Sequence, residues 1–205
     1  MKKIIALCSL AVALLFAGNA KAQLGINVGY APENFVVGDN STAYTGLFAG
    51  VNYNYNLSGD INLSLGAQFR MNNRSTETTI LDVKATQTDQ QYLIDIPLLF
   101  NYGFRLSNAV KLSVFAGPTF TYALSGKTTY KVSGGSSSHT FDPVNWYGDD
   151  SNMNQFNVSG TIGGAITFNS IRVFAGYNYG LMDLDKSDNG TLKTNGLFVG
   201  LGLNL

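Results

Sequence analysis

The sequence predicts an all-β fold, an eight-stranded antiparallel up-and-down transmembrane β-barrel preceded by a cleavable signal peptide. Apolar residues alternate with small or polar residues at a period of two along most of the chain. Charged residues make up only 13% of the 205 residues, while there are 23 Gly, 13 Phe and 11 Tyr, and this charge content is about half that of soluble domains. The predicted connections alternate between short and long, as they do in membrane barrels.

The N-terminal segment 1–22 is predicted to be a signal peptide. Lys2 and Lys3 form a basic head, residues 4–18 are apolar, and Ala20-Lys21-Ala22 fits a small-x-small cleavage site. The alternative is a helical membrane anchor, for which the apolar run is too short. The barrel is therefore expected to occupy residues 23–205 as a single domain.

Composition excludes several classes of function. Cys8 is the only cysteine and lies in the signal segment, so we expect no disulfide, thiol catalysis or cysteine–metal site in the barrel. Three of the 13 Lys and Arg residues also lie in segment 1–22, which leaves a net charge of −3. That balance does not indicate nucleic-acid binding. We expect no cofactor and no metal.

Eight alternating runs predict the eight strands. In each run one row is apolar or aromatic, and the other row consists mainly of Gly, Asn, Ser and Thr. The runs cover residues 24–30, 47–55, 61–71, 92–104, 110–122, 156–168, 171–179 and 197–205.

The apolar row is predicted to face outward. A soluble barrel would place that row inside, but the other row carries too few charges for a surface in water. Eight rows of Leu, Phe and Tyr would also overfill an eight-stranded interior. An apolar outer face needs lipid around it, and there a closed barrel is the β structure that satisfies its backbone.

The connections predict how the barrel is oriented. They are short at residues 57–60, 106–109 and 169–170, and long at 31–43, 72–89, 125–155 and 183–194. Short periplasmic turns and long extracellular loops would put both termini in the periplasm. Aromatic residues gather near both ends of the strands, as two interfacial girdles do. We expect an outer-membrane protein surrounded by lipid and lipopolysaccharide.

Three segments resemble a known family. YLIDIPLLFNYGF (92–104) looks like the YLxIPLLxxY strand of the outer-membrane β-barrel domain family that includes PorT-like proteins. AGPTFTY (116–122) is similar to its aGPxxxY strand, and GYNYGLMDL (176–184) to its YxyGLxd segment. The resemblance spans essentially all of 23–205 and implies a small barrel of OmpA- or OmpX-like architecture. Such barrels often end in an aromatic residue, whereas this chain ends at Leu205.

The inward row carries charges that must pair or meet water. Arg70, Asp95, Lys111 and Arg172 are predicted to form a lumen charge cluster, with Arg105 as a further candidate. Arg70 and Asp95 are expected to pair across neighbouring strands. The charges could line a narrow gated pore or form salt bridges that plug the lumen, and the small interior favours the plug.

Pro97 interrupts the fourth predicted strand. A closed barrel has no edge strand on which a proline could lie harmlessly. We therefore expect Pro97 to sit at a bulge or to leave one ladder hydrogen bond unmade.

Catalysis and metal binding are weakly indicated. His139 could act with Asp149 or Asp150 as an acid–base site, but it lies in a Ser/Gly-rich loop without matching spacing, so we expect it to be idle and the protein not to be an enzyme. Asp183, Asp185 and Asp188 superficially resemble a calcium loop. This segment lacks the bidentate Glu, which favours a solvated loop.

The long connection 125–155 is the best candidate for contact with a partner. It carries four aromatic residues among polar neighbours: Tyr130, Phe141, Trp146 and Tyr147. Exposed aromatics suit contact with a surface or envelope protein, although they could instead pack onto the barrel rim. Three functions stay open: a structural or surface-interaction barrel, a narrow pore for small solutes, and an accessory barrel of the envelope or a secretion system.

Overall fold

The computed structural model describes residues 23–81, 83–134, 137–148, 151–187 and 190–205. Within these ranges no helix has the length and apolar character needed to cross a membrane. The strands are β1 (Gln23–Tyr30), β2 (Glu33–Val37), β3 (Asn40–Ser58), β4 (Ile61–Ile80), β5 (Val83–Arg105), β6 (Val110–Gly134), β7 (Ser137–Thr140), β8 (Val144–Asn145), β9 (Phe156–Phe168), β10 (Ile171–Gly180) and β11 (Leu192–Asn204).

Eight of these strands close into a barrel. Their order is β1-β11-β10-β9-β6-β5-β4-β3, and β1 pairs antiparallel with both β11 and β3. The other described strands, β2, β7 and β8, lie in the long connections. The predicted eight-stranded antiparallel barrel is therefore confirmed. We call the end with connections 57–60, 106–109 and 169–170 the turn end, and the opposite end the loop end.

The two rows of each strand face opposite sides of the barrel wall, as predicted. The apolar row lies on the outside: Ile162 is 63% exposed and Leu197 is 66% exposed. On the inside, Asn27 and Ser64 are buried. An apolar surface that runs right round a β-barrel is stable in lipid and not in water.

A layer of phenylalanine rings fills the middle of the lumen. Phe48, Phe115 and Phe174 are buried, and Phe198 packs against them. Each ring covers a glycine directly opposite on the neighbouring strand, so a Cβ there would overlap the ring. These pairs are Phe48–Gly29, Phe115–Gly163, Phe174–Gly200 and Phe198–Gly176.

Two connections expected as loops are largely β structure. Segment 72–89 is a hairpin in which β4 continues to Ile80 and β5 starts at Val83. In segment 125–155, β6 continues to Gly134, and β7 and β8 pair back onto it. Both faces of these extensions carry mainly polar residues, so they lack the alternation that identified the membrane strands.

The connection 31–43 also contains a strand. β2 inserts between β3 and β11 at the loop end, pairing with both. Ala31, Glu33 and Phe35 are buried as a consequence. The expected open loop is therefore a strand that carries a carboxylate into the lumen.

Pro97 leaves ladder hydrogen bonds unmade, one of its two expected arrangements. Its register with Thr119 on β6 is kept, but the β4–β5 pairing is interrupted between Leu65↔Leu98 and Gln68↔Asp95. The proline ring lies against Gly66 on β4, which has no side chain to obstruct it. The β5–β6 register shifts elsewhere, between Tyr92 and Leu93, where β6 carries the extra residue Leu124.

Candidate functional site

Three charged side chains meet in the loop-end half of the lumen. Arg70 Nε donates to Asp95 Oδ2 at 2.8 Å, and Arg70 Nη2 reaches Asp95 Oδ1 at 3.2 Å. Arg70 Nη1 lies 3.0 Å from Glu33 Oε2. All three residues are buried. We call Glu33, Arg70 and Asp95 the charge cluster; its arginine is held by two carboxylates, one of them bidentate.

Polar neighbours add further hydrogen bonds to the two carboxylates of the charge cluster. Thr121 donates to Asp95 Oδ1 at 2.6 Å, and Asn72 Nδ2 donates to Glu33 Oε2 at 2.6 Å. Asn72 Nδ2 also donates to Gln91 Oε1, and Gln91 Nε2 donates to the Tyr147 hydroxyl. Buried charges are stable only with such partners. The network therefore runs from the centre of the lumen to the loop end.

Trp146 and Tyr147 cover the loop end of the lumen. The Trp146 ring packs edge-on against Tyr44, with ring centroids 6.0 Å apart, and its Nε1 donates to Thr128 at 2.8 Å. The Trp146 backbone N–H donates to Gly126 O. Burial raises the pKa of the Tyr147 hydroxyl to about 12. We call Trp146 and Tyr147 the lid.

A third buried carboxylate supports the lid. Asp89 accepts hydrogen bonds from Thr128 at 2.7 Å and from Gln87 at 3.1 Å. Arg74 Nη1 lies 3.6 Å from Asp89 and places its guanidinium over the Tyr44 ring, 5.9 Å from its centroid. The residues beneath the lid are therefore a second pairing of carboxylate and arginine.

Arg172 lies on the other side of the phenylalanine layer. Its guanidinium carbon is 5.4 Å from the Phe115 centroid and 5.3 Å from the Phe174 centroid. Its Nη2 reaches Asn101 Oδ1 at 3.5 Å, a long contact. Among the described residues no carboxylate forms an ion pair with Arg172.

A polar cavity opens at the turn end below Arg172. It measures about 350 Å³. Arg105, Lys111 and Arg172 line it together with amides and hydroxyls, including Asn101 and Thr167. We call it the turn-end cavity.

The predicted lumen charge cluster is therefore wrong as a single group. Arg70 and Asp95 pair as expected, but Lys111 and Arg172 line the turn-end cavity. Lys111 and Arg172 each lie close to a turn, so their side chains enter the lumen at the turn end and not beside Arg70. The phenylalanine layer separates the two levels.

Side chains fill the lumen between its two ends. A void of about 70 Å³ lies within the phenylalanine layer, and Arg70, Asp95 and Arg172 all line it. A void of about 10 Å³ lies between the charge cluster and Tyr147. Spaces of this size hold a few water molecules at most.

The loop residues considered for chemistry lie apart from the lumen network. The ring of His139 packs edge-on against Phe141, with centroids 4.8 Å apart, while Asp149 and Asp150 lie outside the described residues. Asp183 Oδ1 accepts the backbone N–H groups of Leu192 and Asp185, each at 2.8–2.9 Å. These hydrogen bonds lower the pKa of the Asp183 carboxyl.

The Asp183–Asp185 spacing is explained by backbone capping. Asp185 Oδ1 in turn accepts the backbone N–H of Ser187 at 2.8 Å, and Asp188 lies outside the described residues. Across the part of the chain that the structure describes, no group of three or more His, Cys, Asp or Glu could hold a metal ion.

The four loop aromatics separate into two pairs. Tyr130 and Phe141 are 43% and 49% exposed, and the Phe141 N–H donates to Tyr130 O. Trp146 and Tyr147, in contrast, pack onto the barrel rim as the lid. For this second pair the expected exposure is wrong, because the segment that carries them folds back onto β6.

Glu33 is the functional residue that sequence reasoning missed. It was assigned to an open loop, yet it supplies one of the two carboxylates that hold Arg70. The signal in the sequence was the two-residue spacing of Ala31, Glu33 and Phe35, all of which the structure buries.

The barrel and the filled lumen can now be compared with known proteins. The model of the outer membrane protein beta-barrel domain matches residues 16–186. The chain belongs to this family. An outer-membrane location follows from membership, whereas the more specific PorT-like assignment has no such support.

Several solved structures are similar to this chain. Neisserial surface protein A (NspA) is 12% identical, with a TM-score of 0.50 over 90% of this chain and 99% of NspA. Ail of Yersinia pestis is 16% identical, with a TM-score of 0.40 over 90% and 99%. The N-terminal barrel of Pseudomonas aeruginosa OprF is 13% identical, with a TM-score of 0.37 over 90% and 100%. The comparison with curated proteins finds no match.

Proposed function

We propose that the protein is a closed, non-enzymatic outer-membrane barrel that acts through its loop-end surface. Segment 1–22 directs its export, and the barrel sits in lipid and lipopolysaccharide with the turn end and both termini in the periplasm. The observation that carries this proposal is the combination of a filled lumen with a rigid, aromatic-bearing sheet beyond the membrane.

The filled lumen supports a closed barrel rather than a pore. The charge cluster is internally paired, the phenylalanine layer lies directly beneath it, and the lid covers it from above. An ion crossing this path would have to displace buried, hydrogen-bonded charges. The interior of an eight-stranded barrel is only just wide enough for side chains to fill it, and here they fill it between the two ends.

The β structure that extends beyond the membrane at the loop end, which we call the loop-end sheet, supports a role in surface contact. A membrane strand needs about 9–11 residues, whereas β5 has 23 and β6 has 25. The excess continues as paired β structure, so it forms a rigid platform rather than a loose loop. Tyr130 and Phe141 are displayed on this platform, and exposed aromatic side chains are enriched in protein interfaces.

A conductance measurement tests the closed lumen. Purified monomer in a planar bilayer is expected to show no steady current. A double variant, Trp146→Ala with Tyr147→Ala, removes the lid but keeps the charge cluster, and it is expected to stay closed as well. Steady ion-selective conductance from the unaltered monomer would overturn this part of the proposal.

A pull-down tests the surface role. Envelope membranes are solubilised in mild detergent, and proteins that co-purify with the intact barrel are compared with those that co-purify with Tyr130→Ser/Phe141→Ser. The matched control is Ile80→Ser/Leu81→Ser, which removes two apolar groups that are even more exposed, at 66% and 93%, from the neighbouring hairpin tip. We expect partners to be lost only with the aromatic variant.

Other outcomes separate the remaining functions. If both double variants recover the same partners as the intact protein, the aromatic surface is not the contact. A secretion defect upon deletion of the gene, with envelope components among the recovered partners, would favour the accessory role. Altered lipid A or phospholipid in His139→Ala cells would contradict the non-enzymatic assignment.

A further inference from the structure

The turn-end cavity contains three positive side chains at one level of the barrel. The strand register places Arg105 on β5 opposite Lys111 on β6, Lys111 opposite Thr167 on β9, and Thr167 opposite Arg172 on β10. Neighbouring strands are about 4.8 Å apart. The three cations therefore form an arc over four adjacent strands, and all line the same space.

The described lining of this cavity includes no acidic side chain. It consists of the three cations, amides such as Asn54 and Asn62, and hydroxyl groups. Asp60 lies in a turn at the same end but does not line the cavity. Like charges directly opposite on paired strands repel each other. The unliganded cavity therefore holds about three positive charges with no counter-charge from its own walls.

Two of the three cations, Arg172 and Lys111, are held in place by their neighbours. The Arg172 guanidinium lies over the Phe115 and Phe174 rings, and Arg172 lines the cavity beside them. The aliphatic stem of Lys111 lies over Gly103, where any side chain would collide with it. Amide and guanidinium N–H groups converge on one space, which is the arrangement that binds oxyanions.

We propose that the turn-end cavity binds a multiply charged phosphate compound. Arg matches the geometry of phosphate oxygens, and Lys adds a point charge. A volume of about 350 Å³ exceeds what one phosphate fills and lies within the range of small-ligand sites. The ligand is a soluble polyphosphate compound or a phosphate-bearing lipid headgroup. This site is at the opposite end from the loop-end surface and does not depend on it.

The test is a calorimetric titration of the full-length protein in a nonionic detergent. Pyrophosphate is the first probe, and saturable binding that weakens as NaCl is raised is expected. Lys111→Gln and Arg172→Gln should each weaken binding by about tenfold or more, since each removes a charged hydrogen bond. Lys84→Gln is the matched control, because Lys84 is exposed at the loop end and pairs with Glu77.

A second titration identifies the source of the phosphate. Dihexanoyl phosphatidate is added to protein saturated with pyrophosphate. Displacement that Arg172→Gln abolishes assigns the site to a lipid headgroup, and absence of displacement assigns it to a soluble compound. Circular dichroism verifies that each variant is folded. The proposal is overturned if neither probe binds saturably, or if Lys111→Gln and Lys84→Gln change the affinity equally.

Discussion

Arg70 and Arg172 both point into the lumen, but their surroundings differ. Arg70 has Glu33 and Asp95 within 3.0 Å, and the carboxylates have hydrogen-bond donors of their own. Arg172 has two aromatic faces and one long contact to an amide. An arginine that is paired with carboxylates stabilises the barrel. An arginine that has no carboxylate partner and lies beside an open cavity is available to bind a ligand.

The largest effect is expected from Arg70→Met. The change leaves Glu33 and Asp95 buried without a cation, and removing one partner of a buried pair costs about 3–5 kcal/mol. Urea unfolding in detergent micelles measures the loss of unfolding free energy. Lys84→Met is the control: Lys84 and Glu77 form an exposed pair, so its loss should cost about 1 kcal/mol or less.

The charge cluster also allows a rescue experiment. Adding Glu33→Gln and Asp95→Asn to Arg70→Met removes the two orphaned charges and should recover most of the lost stability. If Arg70→Met costs no more than Lys84→Met, Glu33 and Asp95 do not depend on Arg70 for their stability in the lumen, and the contrast between the two arginines fails.

A smaller loss is expected from Gly126→Ala. A Cβ at this position would lie 2.7 Å from Trp146 Cε3 and 2.8 Å from Tyr147 Cε2, so the lid must move. Such overpacking costs about 1–3 kcal/mol. Because Trp146 is the only tryptophan, a red shift of its fluorescence reports the displacement. Gly148→Ala, which meets no atom within 4 Å, should leave the spectrum unchanged.

Arg172→Met should change stability by less than about 1 kcal/mol in either direction, because replacing an unpaired charge with an apolar chain removes a desolvation cost. The same urea assay measures it beside Arg70→Met. A loss of more than about 2 kcal/mol would mean that Arg172 has a partner within the barrel, and the contrast between the two arginines would fail.

The smallest effect at neutral pH concerns Tyr147. Its pKa is raised to about 12 by burial, from an ordinary value of about 10. The folded state then holds this proton more tightly than the unfolded state does. The stabilisation from the neutral Tyr147 hydroxyl is therefore complete below a pH of about 10 and is lost as the pH rises toward 12. Ultraviolet titration should show one late tyrosinate that is missing in Tyr147→Phe. Titration of Tyr147 near its ordinary value would show that the lid is open.

The contrast between the two arginines also separates what was predictable from what was not. Arg70 and Asp95 lie on inward positions of consecutive strands, so their pairing followed from alternation and strand order. Glu33 was missed because it reaches the lumen on β2, whose pairing between β3 and β11 is not local. The division into two levels was missed because alternation gives the face of a residue and not its depth.

The strand extensions at the loop end also could not be predicted from alternation. In the membrane, lipid outside and a polar lumen inside impose a period of two that can be read directly. Beyond the membrane, both faces of β4 and β5 meet water, so Ser75, Thr76 and Glu77 carry no period. Pairing between strands, which the sequence does not display, makes this segment a hairpin.

The sequence by itself determined the barrel, its eight strands, its outward apolar face and the Arg70–Asp95 pair, because each follows from local alternation and neighbouring strands. The tertiary structure decided that Glu33 completes the charge cluster, that Trp146 and Tyr147 form a lid, and that Arg105, Lys111 and Arg172 share one cavity. The physical reason is that these contacts join segments distant in sequence, whose depth and register are set only when the barrel closes.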